Sequence, residues 1–439
     1  MKLKKLSLTL MLTCSVLFAQ STNNDENLID IDKSGEWIVL PYAFTSDATG
    51  FSGGIGTIAQ GIFQPQTTLV ATIFYGLEQD IITNDTPETY NFSGAFLAFS
   101  NLKIPYTRGL FFSFWTMTQS TPKGLYYIDG SNDSNKDNAL MSSGETNYFY
   151  ATLKYVLPIG EGIDNPEGKY RLKNGFAMDR EEYGNGVPFE TGRTTIGIES
   201  FYLSQDFENW KKLTEWVDFT SKPEWNSSGF KFFVEHENTD FDLNPSRGYN
   251  FKLQYSKDWS DGYDGWDFLE FKYSKYFNLD TLSFTQQNVL ALNFWTGYSF
   301  SWDDTKELLP GISAYRPPMD EGGRLGGIFR MRGYDSNRFS DKAVIYGTAE
   351  YRAMLKYNPF KNSDLEEYSP VAIDWFQLVG FVEVGRVNNE YNFDLLTDLK
   401  YDVGVSLRTM AAELPLRFDV AYSDEGTNMW VMIQHPFDF

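Results

Sequence analysis

From Phe51 onward, apolar and polar side chains alternate with a period of two, and no segment carries a convincing helical stripe. That period sorts residues onto the two faces of a pleated ribbon, so it confines the chain to sheet architectures. Leu290, Leu292, Phe294, Thr296 and Tyr298 alternate with Ala291, Asn293, Trp295 and Gly297. Leu399, Tyr401, Val403, Val405 and Leu407 alternate with Lys400, Asp402, Gly404, Ser406 and Arg408. Sixteen candidate strands result, running from 51–62 to 427–439, with 168–180 as the sixth, 228–239 the eighth, 343–357 the twelfth and 374–388 the thirteenth. Their length of about ten residues is what a tilted strand needs to cross the hydrocarbon of a bilayer. The pattern predicts an all-β fold: a 16-stranded antiparallel transmembrane β-barrel, apolar face to lipid and polar face to a wet lumen. A soluble propeller fits less well, because its blades repeat every ~40–50 residues and no such repeat is present.

Residues 1–20 read as a signal peptide, with Lys2, Lys4 and Lys5 before the short apolar run Leu6 to Phe18 and a cleavage point at Ala19-Gln20. The run is too short for a spanning helix, which needs about 20 apolar residues. Met11-Leu12-Thr13 before Cys14 is a poor lipidation signal. The expected division is therefore a signal peptide at 1–20, a short periplasmic segment at 21–50 and an outer-membrane barrel at 51–439.

Composition removes several function classes. A net charge of −22 gives no electrostatic reason to bind nucleic acid. Two histidines and one cysteine leave no room for a Cys/His zinc site, a disulfide framework or a reactive thiol in the exported chain. No catalytic residue, metal or cofactor is called for, and the chain reads as a non-enzyme. His236 reads as a polar strand residue, and His435 falls on the lipid-facing parity of the last strand. Asp303, Asp304, Asp320 and Glu321 lack calcium-loop spacing and read as a solvated acidic loop. Trp259, Trp266 and Trp302 near strand ends read as interfacial girdles.

The segment GGRLGGIFRMRGYDSNRFSDKAVIYGTAEYR between the eleventh and twelfth candidate strands carries a resemblance. Arg332-Gly333-Tyr334 resembles the Arg-Gly-Phe/Tyr tip on the sixth extracellular loop of BamA/TamA-type outer-membrane assembly barrels, the bacterial surface antigen family. Gly347 and Glu350 match its next strand, and Phe381-Val-Glu383-Val-Gly385 matches its Phe-x-Asp-x-Gly pattern, with glutamate replacing aspartate. Pro245-Ser-Arg-Gly248 is similar to its Pro-x-x-Gly periplasmic turn, and Phe439 to its C-terminal targeting residue. The likeness is firm over about 230–439 and weaker before it. The family carries periplasmic POTRA domains before the barrel. The stretch 21–50 is too short for one, so the chain resembles a POTRA-less branch.

The resemblance implies a Gram-negative outer-membrane protein that aids insertion or export of other outer-membrane proteins, with the long sixth loop folded into the lumen. Lipid, lipopolysaccharide and other envelope proteins, as clients or complex subunits, are the implied partners. The alternative is a non-catalytic channel or a structural subunit of a larger complex. Strand parity turns Glu350, Arg352, Phe381, Glu383 and Gly385 toward the lumen, where a guanidinium from Arg332 meets Glu350 and Glu383 in fork geometry and braces the loop. The other expected site is a weak lateral seam. Gly53, Gly54 and Gly56 in the first candidate strand each cost roughly 0.5–1 kcal/mol of strand stability. Pro436, near Phe439, cannot donate a ladder hydrogen bond. These features either form a gate that accepts an incoming strand by β-augmentation, or the glycines make room for the N-terminal tail or a bend.

Overall fold

A computed structural model describes residues 36–46, 50–83, 86–127, 129–168, 172–178, 180, 183–212, 224–260, 265–309, 312–361, 372–411, 414–433 and 437. One seventeen-stranded sheet dominates it. Its strands are β1 (Glu36–Ser46), β2 (Gly50–Gln60), β3 (Thr68–Gly76), β4 (Ser93–Lys103), β5 (Leu110–Tyr126) and β6 (Leu140–Val156). There follow β7 (Arg193–Asp206), β8 (Glu208–Lys212), β9 (Glu224–Thr239), β10 (Gly248–Asp258), β11 (Asp267–Leu279) and β12 (Thr285–Tyr298). The last are β13 (Ala343–Leu355), β14 (Ile373–Asn388), β15 (Lys400–Ala411), β16 (Leu414–Ser423) and β17 (Gly426–Ile433). Every pairing is antiparallel and joins neighbours along the chain, except that β7 and its short continuation β8 both pair with β6 while β7 also pairs with β9. Up-and-down order places the start of β1 and the end of β17 at the same end, called the near end below.

The two faces differ as the alternation demands. Val39, Ile55, Phe232, Leu253, Leu292, Val382, Val403, Val405 and Tyr422 are exposed on one face. Lys231, Asn293, Glu350, Arg352, Gln377, Glu383, Ser406, Arg408 and Asp419 are buried on the other, beneath the loops. The large apolar surface left in contact with the surroundings is what a lipid-facing sheet requires. Among the described residues, no helix is long and apolar enough to cross a membrane.

Three expectations are corrected. A strand precedes Phe51: β1 pairs with β2 from Glu36↔Gln60 to Ser46↔Gly50. Gly53, Gly54 and Gly56 therefore lie on the second strand, paired with β1 on one side and β3 on the other, and do not form a sheet edge. A Cβ on Gly54 would stand 2.5 Å from the ring of Tyr42 and 2.6 Å from the carbonyl of Ile73, so this glycine makes room for the first strand. Second, 168–180 is not a crossing strand. It contains a small hairpin, Leu172–Lys173 paired with Phe176–Ala177, turned by Asn174 (φ 51°) and Gly175 (φ 74°). Third, Trp266 and Trp302 are not girdle residues. Trp266 is fully buried and donates to Ser227 Oγ at 2.7 Å, and Trp302 is buried beneath the Arg316 guanidinium. Trp259 stays exposed.

Loops cover the far end. The segment 299–342, between β12 and β13, lies against the buried face, and the β5–β6 connection folds over it. Tyr127 donates to Asp335 at 2.8 Å, Ser340 N–H to Gly130 O at 2.7 Å, and Arg338 to Glu425 and Ser134 at 2.8 Å. Residues 1–20, expected to be a signal peptide and including Cys14, lie outside the described residues, as do His435, Pro436 and Phe439.

Candidate functional site

Four adjacent strands each turn one carboxylate toward the covered face: Glu350 on β13, Glu383 on β14, Asp402 on β15 and Asp419 on β16. Alternation alone places them there, because each sits at an inward position of its strand. The tip of the 299–342 segment descends onto this row.

Arg332 is completely buried and meets three of the four acids. Its Nε lies 3.2 Å from Glu383 Oε2, its Nη2 3.0 Å from Glu350 Oε1 and its Nη1 3.1 Å from Asp419 Oδ2. The Arg332 backbone N–H also donates to Glu383 at 2.7 Å, and its carbonyl accepts from Trp430 Nε1 at 2.8 Å. The guanidinium lies 3.5 Å above the ring centroid of Phe381, so that residue supplies a stacking platform. A planar fork with donors on three sides fills this geometry, and a lysine ammonium does not.

The next residues complete the grip. Gly333 N–H donates to Asp402 at 3.0 Å, and its carbonyl accepts from Ser423 Oγ at 2.7 Å. A Cβ at Gly333 would sit 2.6 Å from Asp402 Cβ and 3.1 Å from the Tyr422 carbonyl carbon, so only glycine approaches the wall this closely. Tyr334 is buried and donates to Asp424 at 2.7 Å. Gly385 makes room for Leu325, whose Cδ1 would lie 2.8 Å from an added Cβ.

A second tier of cations balances the acids. Glu350 accepts from Arg352 Nε at 2.9 Å and from Arg408 at 2.7 and 3.0 Å. Asp419 is also paired with Arg417, and Glu383 accepts from the Tyr346 hydroxyl. The site thus alternates fully buried charges of both signs, the arrangement under which such charges are tolerated.

The structure brings Arg332, Gly333, Tyr334, Glu350, Phe381, Glu383 and Gly385 into one cluster. Sequence reading left out Asp402, Arg408, Arg417, Asp419, Ser423 and Trp430. Asp402 and Arg408 stood on the polar parity of their strand, but nothing local marked Asp402 as the partner of a loop far upstream or Arg408 as the partner of Glu350. The glutamate that replaces the family's aspartate at Glu383 reaches both the Arg332 backbone and its side chain.

Other polar residues play supporting parts. Asp320 accepts from Asn337 at 2.9 Å, and Glu321 accepts from Tyr150 at 2.8 Å and pairs with Lys231 at 2.7 Å. Glu321 therefore faces the covered side, whereas Asp320 stays exposed. His236 is buried, 3.0 Å from Thr194 Oγ, between Tyr249 and Phe251. Among the described residues no group of three or more His, Cys, Asp or Glu is placed to hold a metal.

The chain is similar to BamA from Haemophilus ducreyi lacking POTRA domains 1–3, with a TM-score of 0.49 and 11% identity, covering 91% of this chain and 69% of that one. It is also similar to CdiB from Acinetobacter baumannii (TM-score 0.49, 13% identity, 90% of this chain and 58% of that one). CdiB from Escherichia coli gives a TM-score of 0.49 at 10% identity, covering 91% of this chain and 60% of that one. The chain thus spans about three fifths of either CdiB chain. No curated protein sequence matches it. The family model described as the Omp85 superfamily domain matches residues 61–438. The chain belongs to the Omp85 superfamily, whose members insert or secrete proteins at the Gram-negative outer membrane.

Proposed function

We propose that the sheet closes into a barrel of sixteen spans, counting β7 and β8 as one interrupted strand, and that it aids insertion or export of outer-membrane proteins at a seam between β1 and β17. In this reading the 299–342 segment is the sixth extracellular loop, and Arg332 braces it against the wall. Lipid and lipopolysaccharide bathe the exposed face, and envelope proteins are the clients or fellow subunits.

The observation that carries the seam is the inward burial of Phe437, beyond the last strand. Phe437, four residues beyond Ile433, is buried against Tyr276, Val289 and Ala291 on the inward face of β11 and β12. With Phe437 packed inward, that residue is no ladder partner for β1, and Pro41 has no backbone N–H to donate from the β1 side. A weak closure of this kind is where an incoming strand can add its own ladder. The packed interior supports this over the channel alternative.

Cysteine pairs placed along β1 and β17, scanned around Val39 and Val431, test the seam in liposomes that fold an added outer-membrane client. Locking the two strands is expected to stop client insertion, and reduction to restore it. Full insertion with the strands locked would refute the seam, and steady ion conductance through the locked barrel would favour a channel.

A further inference from the structure

The near-end connection 157–192 contains the hairpin Leu172–Ala177, which reaches across the sheet to strands distant from its own. Its flanks leave β6 and enter β7, yet its residues pack on β13, β14 and β15. Following the wall from β7 to β14 crosses six strand spacings, roughly 29 Å at ~4.8 Å each. Leu172, Phe176 and Ala177 join Met354, Trp375 and Met410, all inward-facing near the near ends of those strands, with Phe241 and Leu243 from the β9–β10 turn. Trp375 donates its indole N–H to the carbonyl of Gly175 at 3.0 Å.

The span is anchored midway. Arg180 pairs with Glu161 at 2.9 Å and donates to the carbonyls of Asp240 at 2.7 Å and Thr239 at 3.1 Å. Arg247, in the Pro245–Gly248 turn, donates back to the carbonyl of Arg180 at 2.8 Å. A tight hairpin pinned at its flank and seated apolar side down on three inward-facing side chains has the construction of a stopper. We infer that the hairpin Leu172–Ala177 is a built-in plug that seals the near-end mouth of the lumen. It rests on the barrel reading, not on the seam, and confines traffic to the side of the molecule.

Two measurements on the full chain in liposomes, with Cys14→Ser as background, test it. A Cβ on Gly175 would lie 2.8 Å from Asp374 Cβ, and a disulfide needs about 3.8 Å, so Gly175→Cys with Asp374→Cys is expected to cross-link after a small shift. Met410 is fully buried under the hairpin, so Met410→Cys is expected to resist a membrane-impermeant maleimide added at the near end. Replacing Leu172–Ala177 by a glycine-serine linker is expected to raise that labelling at least tenfold. Equal labelling with and without the hairpin, in preparations that keep the heat-modifiable gel shift of a folded barrel, would overturn the plug. If the replacement fails to fold, the cross-link decides: its absence under oxidation overturns the proposal. Loss of the gel shift in the unmodified chain would instead sink the barrel reading.

Discussion

Replacing Arg332 by alanine removes three buried ion pairs, yet the structure sets the loss well below three times that of one. Breaking a buried pair costs about 3–5 kcal/mol because a charge is left uncompensated. After Arg332→Ala, Glu350 keeps Arg352 and Arg408, and Asp419 keeps Arg417. Glu383 alone loses its cation, retaining the Tyr346 hydroxyl and the residue-332 backbone N–H. The expected loss is therefore about 3–5 kcal/mol, a shift of roughly 100- to 4,000-fold in the folding equilibrium. The same reasoning names the rescue. Glu383→Gln in the Arg332→Ala background removes the stranded charge and should recover most of the stability, with a coupling energy of about 1–3 kcal/mol. Glu350→Gln in that background should deepen the loss, since Arg352 and Arg408 would then face an uncharged amide. Urea unfolding in detergent micelles, followed by tryptophan fluorescence and by gel mobility, measures the three variants against wild type. An Arg332→Ala barrel within about 0.5 kcal/mol of wild type, or equal rescue by the two glutamines, would refute the assignment.

Gly333→Ala should force the loop tip off Asp402 and the β16 backbone, costing about 1–3 kcal/mol and exposing the 299–342 segment to limited proteolysis. Gly54→Ala should push against the Tyr42 ring and the Ile73 carbonyl and loosen β1, seen as faster amide exchange of Glu36–Ser46, and Tyr42→Ala should relieve only the part due to the ring. Arg338→Ala should sever the far-end cover from Glu425 and Ser134 and raise protease cutting between Tyr127 and Ala139 without altering gel mobility.

Most of the sheet was legible because a lipid-facing wall enforces strict alternation, and Val403, Val405 and Leu407 show it without interruption. The first strand was hidden by Pro41, which argues against a strand interior and is tolerated in β1, at the start of the sheet. The false strand at 168–180 held its own correction. Asn174-Gly175 is the dipeptide that a two-residue type I′ turn selects, since both positions take positive φ. Parity brought Glu350 and Glu383 to the right face, but no local pattern pairs Arg332 with Asp419, because that contact depends on a whole loop returning to the wall. The buried tryptophans fail for a related reason: proximity to a strand end does not say which face a ring takes.

The row of four acids beneath the loop tip comes one from each of four consecutive strands, and this makes the tip a gauge of alignment. Sliding any of β13 to β16 by one residue would rotate its carboxylate out to the hydrocarbon and put an aliphatic or aromatic neighbour, such as Val382 or Phe418, under the guanidinium. Misaligned final strands thus forfeit the clasp, so the tip can settle only once the last quarter of the wall has zipped correctly.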